Sequence, residues 1–254
     1  MKNKIKATVM ALLLGVTVTI AQTVDEVINK AIDARGGKEK LANLNAVKMV
    51  ASIEVAPNMK APLTMYIVND KNLRIDIEMQ GLTMTQCVEG DSGWAIQPFG
   101  GKKEAERMDK EQVQQMGDQK DIRGSLFDYK AKGSTALLLG KEDMEGTDCY
   151  KIKLTKKDNV EETYYLDATT YLVLKVTMKH KMKEKDMTAD VLFSNYKKID
   201  GLMFAFTMDE REAGAAQGQV INFDSIEVNP KLDKNFFKMP MASSETKAGT
   251  GDKK

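Results

Sequence analysis

Apolar and polar residues alternate with a period of two over much of the chain after Ala46. This alternation is typical of β-strands with one buried face, because successive side chains point to opposite faces of a sheet. Short connections between the segments predict antiparallel pairing. The fold class is therefore mainly β (α+β), with about eleven strands. The predicted strands are 47–55, 63–67, 73–79, 82–88, 94–97, 149–155, 160–166, 171–180, 187–195, 202–208 and 219–228.

The register of one hairpin follows from its loop. Gln80-Gly81 separates two alternating segments, and glycine supplies the positive φ that a two-residue hairpin loop needs. The loop pairs Ile77 with Met84 and places the apolar residues of both strands on one face. We expect Ile77 to lie on a dry face and Asp76 on the opposite, wetter face.

One helix is predicted before the strands. Thr23 and Glu26 form a capping box, apolar residues then recur at helical spacing, and Gly36 marks the end. Between residues 103 and 129 the alternation is lost, which indicates helices and loops. Further helices are predicted at 38–44, 109–116 and 121–127.

The N-terminus resembles a secretory signal peptide. Three lysines precede the uncharged stretch 7–20, and Ala21 provides a small residue for cleavage. The stretch is shorter than the roughly 20 residues that span a bilayer. We therefore predict a signal peptide at 1–21, one domain at 22–240 and a disordered polar tail at 241–254, in an exported, soluble protein. With 38 basic and 37 acidic residues, the chain lacks the charge of a nucleic-acid-binding protein.

The two cysteines, Cys87 and Cys149, are too few for a disulfide-rich scaffold. Both are expected on the more polar face of their strands, and export favours oxidation. A disulfide between them stays open, because pairing also needs the two Cα atoms within roughly 7 Å. No cysteine follows the predicted cleavage site, so a lipid anchor is not expected there.

Catalytic signals are weak. Gly90-Asp91-Ser92-Gly93 matches the sequence around a serine-protease nucleophile, but the only histidine, His180, lies downstream of it. Four turn-forming residues between two strands are better explained as a hairpin turn. His180 alone does not make a zinc site, which needs three or four ligands. We expect no catalytic residues, no metal site and no cofactor, and we do not expect an enzyme.

Methionine is unusually frequent, with 17 residues in the chain. Many lie in or beside the predicted strands. Because methionine is flexible and polarizable, this composition suits a surface that accepts varied apolar ligands, and equally a loosely specified core.

The order of segments resembles the Lol-type outer-membrane lipoprotein-sorting proteins of Gram-negative envelopes, in particular a divergent LolA-like group. An exported helix ending in two glycines leads into a strand meander, a turn with a tryptophan, a helical insertion and further strands. The quoted segments are 36–37, 90–98, 164–167, 169–170, 195–196, 200–201, 229–230 and 236–237.

The resemblance implies a single unclosed antiparallel β-barrel, with helices covering its concave apolar face. It implies a periplasmic, non-catalytic carrier of lipoprotein acyl chains or another lipid, acting as a monomer. Transient membrane-surface contact and envelope protein partners stay open, as does an alternative: an envelope sensor or interaction module with the same fold. On this fold, the apolar strand faces predict a lipid-binding cavity lined by Met65, Ile67, Ile75, Ile77, Met84 and Tyr164.

Overall fold

The computed structural model describes residues 22–56, 59–182, 185–216 and 218–241. The predicted signal peptide, and all but the first residue of the predicted tail, lie outside the described residues. The described part contains three α-helices and thirteen strands. The helices are α1 Val24–Ala34, α2 Lys38–Ala42 and α3 Lys110–Gly117, and the strands are β1 Ala46–Ala56, β2 Met59–Val68, β3 Asn72–Met79, β4 Leu82–Glu89, β5 Ser92–Gln97, β6 Lys102–Arg107, β7 Thr135–Met144, β8 Thr147–Thr155, β9 Glu161–Asp167, β10 Val173–Met182, β11 Lys185–Ile199, β12 Leu202–Glu212 and β13 Gln219–Val228.

All thirteen strands form one antiparallel sheet. Its order is β6-β5-β4-β3-β2-β1-β13-β12-β11-β10-β9-β8-β7. Within the described chain, β6 and β7 are the two edges and are not paired with each other, so the sheet is unclosed. This confirms the mainly β, unclosed antiparallel architecture and corrects the strand number from eleven to thirteen.

The two strands that the pattern missed are the edge strands. Strand β6 has five charged residues out of six, so it shows no apolar alternation. Strand β7 contains the apolar run 137–139, and its pairing with β8 shifts between Leu138 and Gly140. A bulge of this kind breaks the period of two. The helix predicted at 121–127 is also wrong: the segment forms turns, and Gly124 has a φ of 82°.

Local predictions elsewhere are confirmed. Both hydrogen bonds of the Thr23–Glu26 capping box are present at the start of α1. The loop at 80–81 joins β3 to β4 in the expected register, with Ile77 opposite Met84. The helix predicted at 109–116 is α3, in which Met116 is buried.

The main core lies on one face of the sheet, which we call the inner face. Residues of α2, α3 and the segment around Phe127 pack there against β1–β4, β12 and β13. A second cluster packs α1 against β7–β10, and Ile32 contacts both clusters. The buried members of the first cluster are Leu41, Leu44, Val47, Ala51, Leu63, Ile67, Leu73, Val88, Met116, Phe127, Leu202, Phe204, Phe206, Phe223 and Ile226; those of the second are Val27, Ile28, Ala31, Leu126, Tyr129, Ile152, Leu154, Tyr164, Leu166 and Val176.

The opposite face of the sheet, which we call the outer face, is shielded from solvent near β3–β5. The C-terminal segment that follows β13 covers it, and Trp94 Nε1 donates a hydrogen bond of 2.8 Å to the Phe237 carbonyl. Asp76, expected on a wet face, accepts hydrogen bonds from Arg74 Nε at 3.0 Å and from Thr85 Oγ1 at 2.7 Å. The Arg74 guanidinium also lies 4.6 Å from the Phe236 ring centroid. Asp76 is therefore part of a polar network beneath this segment.

The burial pattern of β3 predicts a contrast in stability. Leu73 is fully buried in the inner core, whereas Glu78 is exposed. We expect Leu73→Ala to lower the free energy of unfolding by about 2–5 kcal/mol, because it leaves a cavity. Glu78→Ser should change it by less than about 0.5 kcal/mol. Urea unfolding followed by circular dichroism measures both; similar midpoint shifts would show that the assigned faces are wrong.

Candidate functional site

Five of the six residues predicted to line a cavity lie together on the inner face. Four of them, Met65, Ile67, Ile75 and Ile77, belong to the main core or pack against it. Met84 lies on the same face because it pairs with Ile77. The pairs Met65–Ile75 and Ile77–Met84 bring them side by side on β2, β3 and β4. Ile67 pairs with Leu73 and is buried, whereas the other four are partly exposed. Tyr164 belongs to the second cluster, so it lines a different part of the sheet.

Exposure rises along these strands in one direction. On β1, Val47 and Ala51 are buried, Ile53 is partly exposed and Val55 is exposed. On β4, Val88 is buried, Met84 is partly exposed and Leu82 is exposed. The inner face therefore has a closed end, where the helices pack, and an open end, where its apolar side chains meet solvent.

The closed end is held by hydrogen bonds to backbone carbonyls. Arg35, directly after α1, donates to the carbonyls of Ile122 (3.2 Å) and Arg123. Arg123 Nε donates to the Leu44 carbonyl at 3.2 Å. The Ile122 amide donates to Asn69 Oδ1 at 3.1 Å. These bonds join the N-terminal helices, the segment after α3 and the β2–β3 turn. The segments that cover the inner face are therefore held in place at this end.

The open end includes apolar residues beyond the six that the sequence predicted to line a cavity. Ile53 of β1 pairs with Ile221 of β13, which pairs with Met208 of β12. On the other side, Met79 pairs with Leu82 across the β3–β4 hairpin. We call this row, together with Ile77 and Met84, the open apolar row. The added residues also belong to alternating segments of the sequence. The pairing of β1 with β13 could not be predicted, because the two strands are far apart in the sequence and no short loop joins them.

Tyr164 does not share this environment. Its hydroxyl donates a 2.7 Å hydrogen bond to Glu162, whose carboxylate also lies 2.5 Å from Lys156 Nζ. Burial, followed by the nearby Glu162 charge, raises the pKa of Tyr164. Glu162 itself is buried. Tyr164 is thus a member of a paired, buried polar group in the second cluster.

None of the six predicted residues lines either of two cavities near the sheet. The larger, of about 700 Å³, lies at the C-terminal segment on the outer face, beside Arg74, Trp94 and Phe236. The smaller, of about 210 Å³, lies beside α3 and includes Gln86, which pairs with Ile75. The open apolar row is therefore a partly exposed surface rather than one of these cavities.

The cysteines are free and buried, so the disulfide left open by the sequence is not formed in the structure. They lie on β4 and β8, and eight strands separate these two in the sheet order. Both lie on the more polar face of their strands, as expected, opposite Arg74 and Glu142, but both are buried there. Cys87 lies under the C-terminal segment, with Sγ 3.2 Å from the Phe237 carbonyl, and burial raises its pKa to about 12.

Among the described residues, no general base lies in hydrogen-bond contact with Ser92, the candidate nucleophile of the weak catalytic motif. Ser92 begins β5 after a turn, and its hydroxyl donates to the Glu89 carbonyl at 3.1 Å. His180 lies in β10, but its side chain is outside those described. Among the described residues, no group of three or more His, Cys, Asp or Glu side chains is placed to hold a metal ion. No described helix is long and apolar enough to cross a membrane.

Comparison with known families covers more than half of the chain. The model of a family described as "Uncharacterized protein" matches residues 107–240. The chain belongs to this family. No curated protein sequence matches it significantly.

Solved structures with the same fold extend the resemblance to most of the chain. A DUF1329 family protein from Desulfovibrio piger is 15% identical, with a TM-score of 0.59 over 86% of this chain and 98% of its own. A LolA superfamily protein from Nitrosomonas europaea is 16% identical, with a TM-score of 0.55 over 86% and 99%. A Vibrio parahaemolyticus domain described as an outer membrane lipoprotein-sorting protein is 14% identical, with a TM-score of 0.55 over 84% and 95%. The resemblance to the Lol-type proteins is thus confirmed at the level of the fold.

The free thiols give a direct test of the outer-face packing. Burial raises the pKa of both Cys87 and Cys149, which keeps them protonated as well as inaccessible. We expect no reaction of the native protein with Ellman's reagent at pH 8, and two thiols per chain after unfolding in guanidinium. Rapid labelling of the native protein would contradict the buried placement, and no thiol after unfolding would indicate a disulfide.

Proposed function

We propose that this protein is a non-catalytic, periplasmic carrier or binder of lipid acyl chains, including those of lipoproteins. The single observation that carries the proposal is the open apolar row on the inner face. It lies at the end of the sheet that the helices leave uncovered. The LolA-type fold supports the proposal, because two of the similar structures are described as a LolA superfamily protein and a lipoprotein-sorting domain.

The row suits a chain-shaped apolar ligand. Its members lie on β12, β13, β1, β3 and β4, so a ligand crossing the strands would touch apolar side chains from several of them. Neighbouring strands are about 4.8 Å apart. A methylene chain rises about 1.25 Å per carbon, which makes an acyl chain long enough to contact three or four strands. Methionines 79, 84 and 208 can adjust to different chain shapes because they are flexible.

The energetics allow useful affinity without a polar anchor. Each methylene removed from water contributes about 0.8 kcal/mol, so fifteen would contribute roughly 12 kcal/mol, which an association cost of about 4 kcal/mol lowers to roughly 8 kcal/mol. A free energy of that size corresponds to dissociation constants in the micromolar range. Reversible binding of this strength suits a carrier that must also release its cargo.

The cell envelope is the proposed location because the sequence of residues 1–21 resembles a secretory signal peptide. Glu162 and Tyr164 are buried, and the Glu162 carboxylate contacts both the Tyr164 hydroxyl and Lys156 Nζ. These contacts stabilise the fold, and we do not propose an acid–base site there. Tyr164 is therefore not part of the proposed contact surface. Ile67 is buried at the closed end and supports that surface from below.

A second candidate is an envelope sensor or interaction module on the same fold. The observation that favours it is the filled closed end, where Ile67, Leu73 and Val88 are buried in the main core. In this case the open apolar row would contact a protein segment. The test below separates the two, since a protein-binding surface has no need to bind isolated fatty acids.

The acyl-chain proposal predicts a face-specific effect within β4. Met84 lies in the open apolar row, whereas Thr83 is its exposed neighbour on the opposite face. We expect Met84→Glu to weaken binding of a fluorescent fatty acid by about tenfold or more, because it puts a charge in an apolar contact. Thr83→Glu adds the same charge and should leave affinity unchanged.

Titration of delipidated protein measures both variants, with urea unfolding as the check that each is folded. Native mass spectrometry of protein purified from the envelope should also show a co-purifying lipid. No saturable binding by the wild type and no bound lipid would reject the carrier proposal. Equal weakening by the two variants would place the lipid elsewhere.

A further inference from the structure

One polar residue interrupts the apolar pattern that β4 presents to the inner face. The β4 residues on this face alternate from position 82 to position 88, and three of the four are apolar. The exception is Gln86, which lies between Ile75 of β3 and Ala95 of β5 and is partly exposed. A glutamine adds no apolar contact to the core, and departures of this kind from the local pattern are expected at functional sites.

Gln86 lines the smaller cavity, of about 210 Å³, between β4–β6 and α3. Five of the seven lining residues are polar, and they include two further glutamines, Gln97 and Gln112. We call this space the glutamine cavity. Gln112 Oε1 accepts a 3.0 Å hydrogen bond from the Asp109 amide, so the NH₂ end of that side chain is the end that can serve a ligand. The cavity has the volume of several water molecules, each of which takes about 30 Å³ in the liquid, so a small polar group fits.

The glutamine cavity is balanced in charge. Glu106 and Arg107 both line it, so one acidic and one basic residue are present. The segment around them is balanced as well, since residues 102–111 hold four basic and four acidic side chains. The neighbouring inner-face residues of β3 and β4 are uncharged. An ion of either sign therefore gains little in the cavity, because attraction to one lining charge is offset by repulsion from the other.

The glutamine cavity adjoins one end of the open apolar row. The row ends at β4, and the cavity lies on the side of β4 that faces away from β3. Met84, a member of the row, is two residues from Gln86 on the same face, or about 7 Å along the strand. Ile77 continues the row on β3. A ligand with its polar head at Gln86 would therefore place its chain on the row.

We propose that the glutamine cavity is the head-group site of the acyl ligand, and that this ligand is a neutral glycerolipid. The inference rests on the proposed acyl-chain binding, to which it adds the chemistry of the head. Glycerol hydroxyls donate to the glutamine Oε1 atoms and to Glu106, and the hydroxyls and the ester carbonyl accept from the glutamine Nε2 atoms. A fatty-acid carboxylate only accepts, so it leaves the acceptors of the cavity without a donor from the ligand.

An anionic lipid head matches the glutamine cavity less well. Arg107 would attract a phosphate, but Glu106 lies beside it in the lining and would repel the same group. The nearby start of α3 gives no compensation, because Asp109 Oδ1 already accepts a 2.8 Å hydrogen bond from the Gln112 backbone amide. The amides and the balanced charges therefore favour a neutral head that both donates and accepts hydrogen bonds.

Competition binding with two ligands of the same chain length tests the proposal in the mature protein. The ligands are 1-oleoylglycerol and oleate, each displacing the fluorescent fatty acid below its aggregation concentration. We expect the wild type to bind the monoacylglycerol about fivefold more tightly than oleate. Gln86→Leu should bring this ratio close to one, because the head loses an amide partner. The matched control is Gln114→Leu, at an exposed position of α3 outside the cavity, which should keep the wild-type ratio.

Failure of this inference is distinguishable from failure of the proposed function. Equal affinity of the wild type for the two ligands would overturn the head-group site and leave the acyl-chain proposal intact. An undiminished ratio in Gln86→Leu, or the same fall in the control, would overturn it too. No saturable binding of either ligand would reject both proposals. If Gln86→Leu lowers the urea midpoint, Gln97→Leu, at an exposed position of the same cavity, provides the same comparison.

Discussion

The structure depends on keeping water away from one apolar face of a sheet that does not close. In a closed barrel each strand would have two partners, and the apolar side chains would pack across the interior. Here β6 and β7 remain as edges, so separate segments must cover the inner face. The N-terminal helices and the segment between β6 and β7 do so at one end, where Arg35 and Arg123 bind their carbonyls.

This cover accounts for both the stability and the proposed function. At the closed end, fully buried Leu41, Leu73 and Val88 form a conventional core. At the open end, Ile53, Ile77 and Met208 pack only partly against it. The same face therefore provides a rigid support and an incompletely covered apolar surface, which a ligand would complete.

The outer face shows a second use of a covering segment. Phe236 and Phe237 pack over β3–β5, and Phe237 accepts a hydrogen bond from Trp94. Ring stacking with Arg74 adds to this contact. As a result, Cys87 and Asp76 are enclosed on a face whose residues look polar in the sequence.

Much of the fold could be predicted from local signals. The alternation, the loop at 80–81 and the capping box at Thr23 each depend on neighbouring residues, and each is confirmed. The edge strands could not be predicted, because an edge strand such as β6 buries little and needs no alternation. The environment of Asp76 was also missed, since it depends on Phe236, 160 positions later. Of the candidate site, Ile77 and Met84 were predicted to pair, but the contribution of β12 and β13 needed the long-range pairing of β1.

Methionine methyl groups provide the most direct measurement of where a ligand binds. In protein labelled with ¹³C at the methionine methyls, titration with a saturated fatty acid should shift the signals of Met84 and Met208 at the open end. The signals of Met116, buried at the closed end, and Met239, on the outer face, should stay in place. Shifts confined to Met239, or no shifts at saturating fatty acid, would contradict the account.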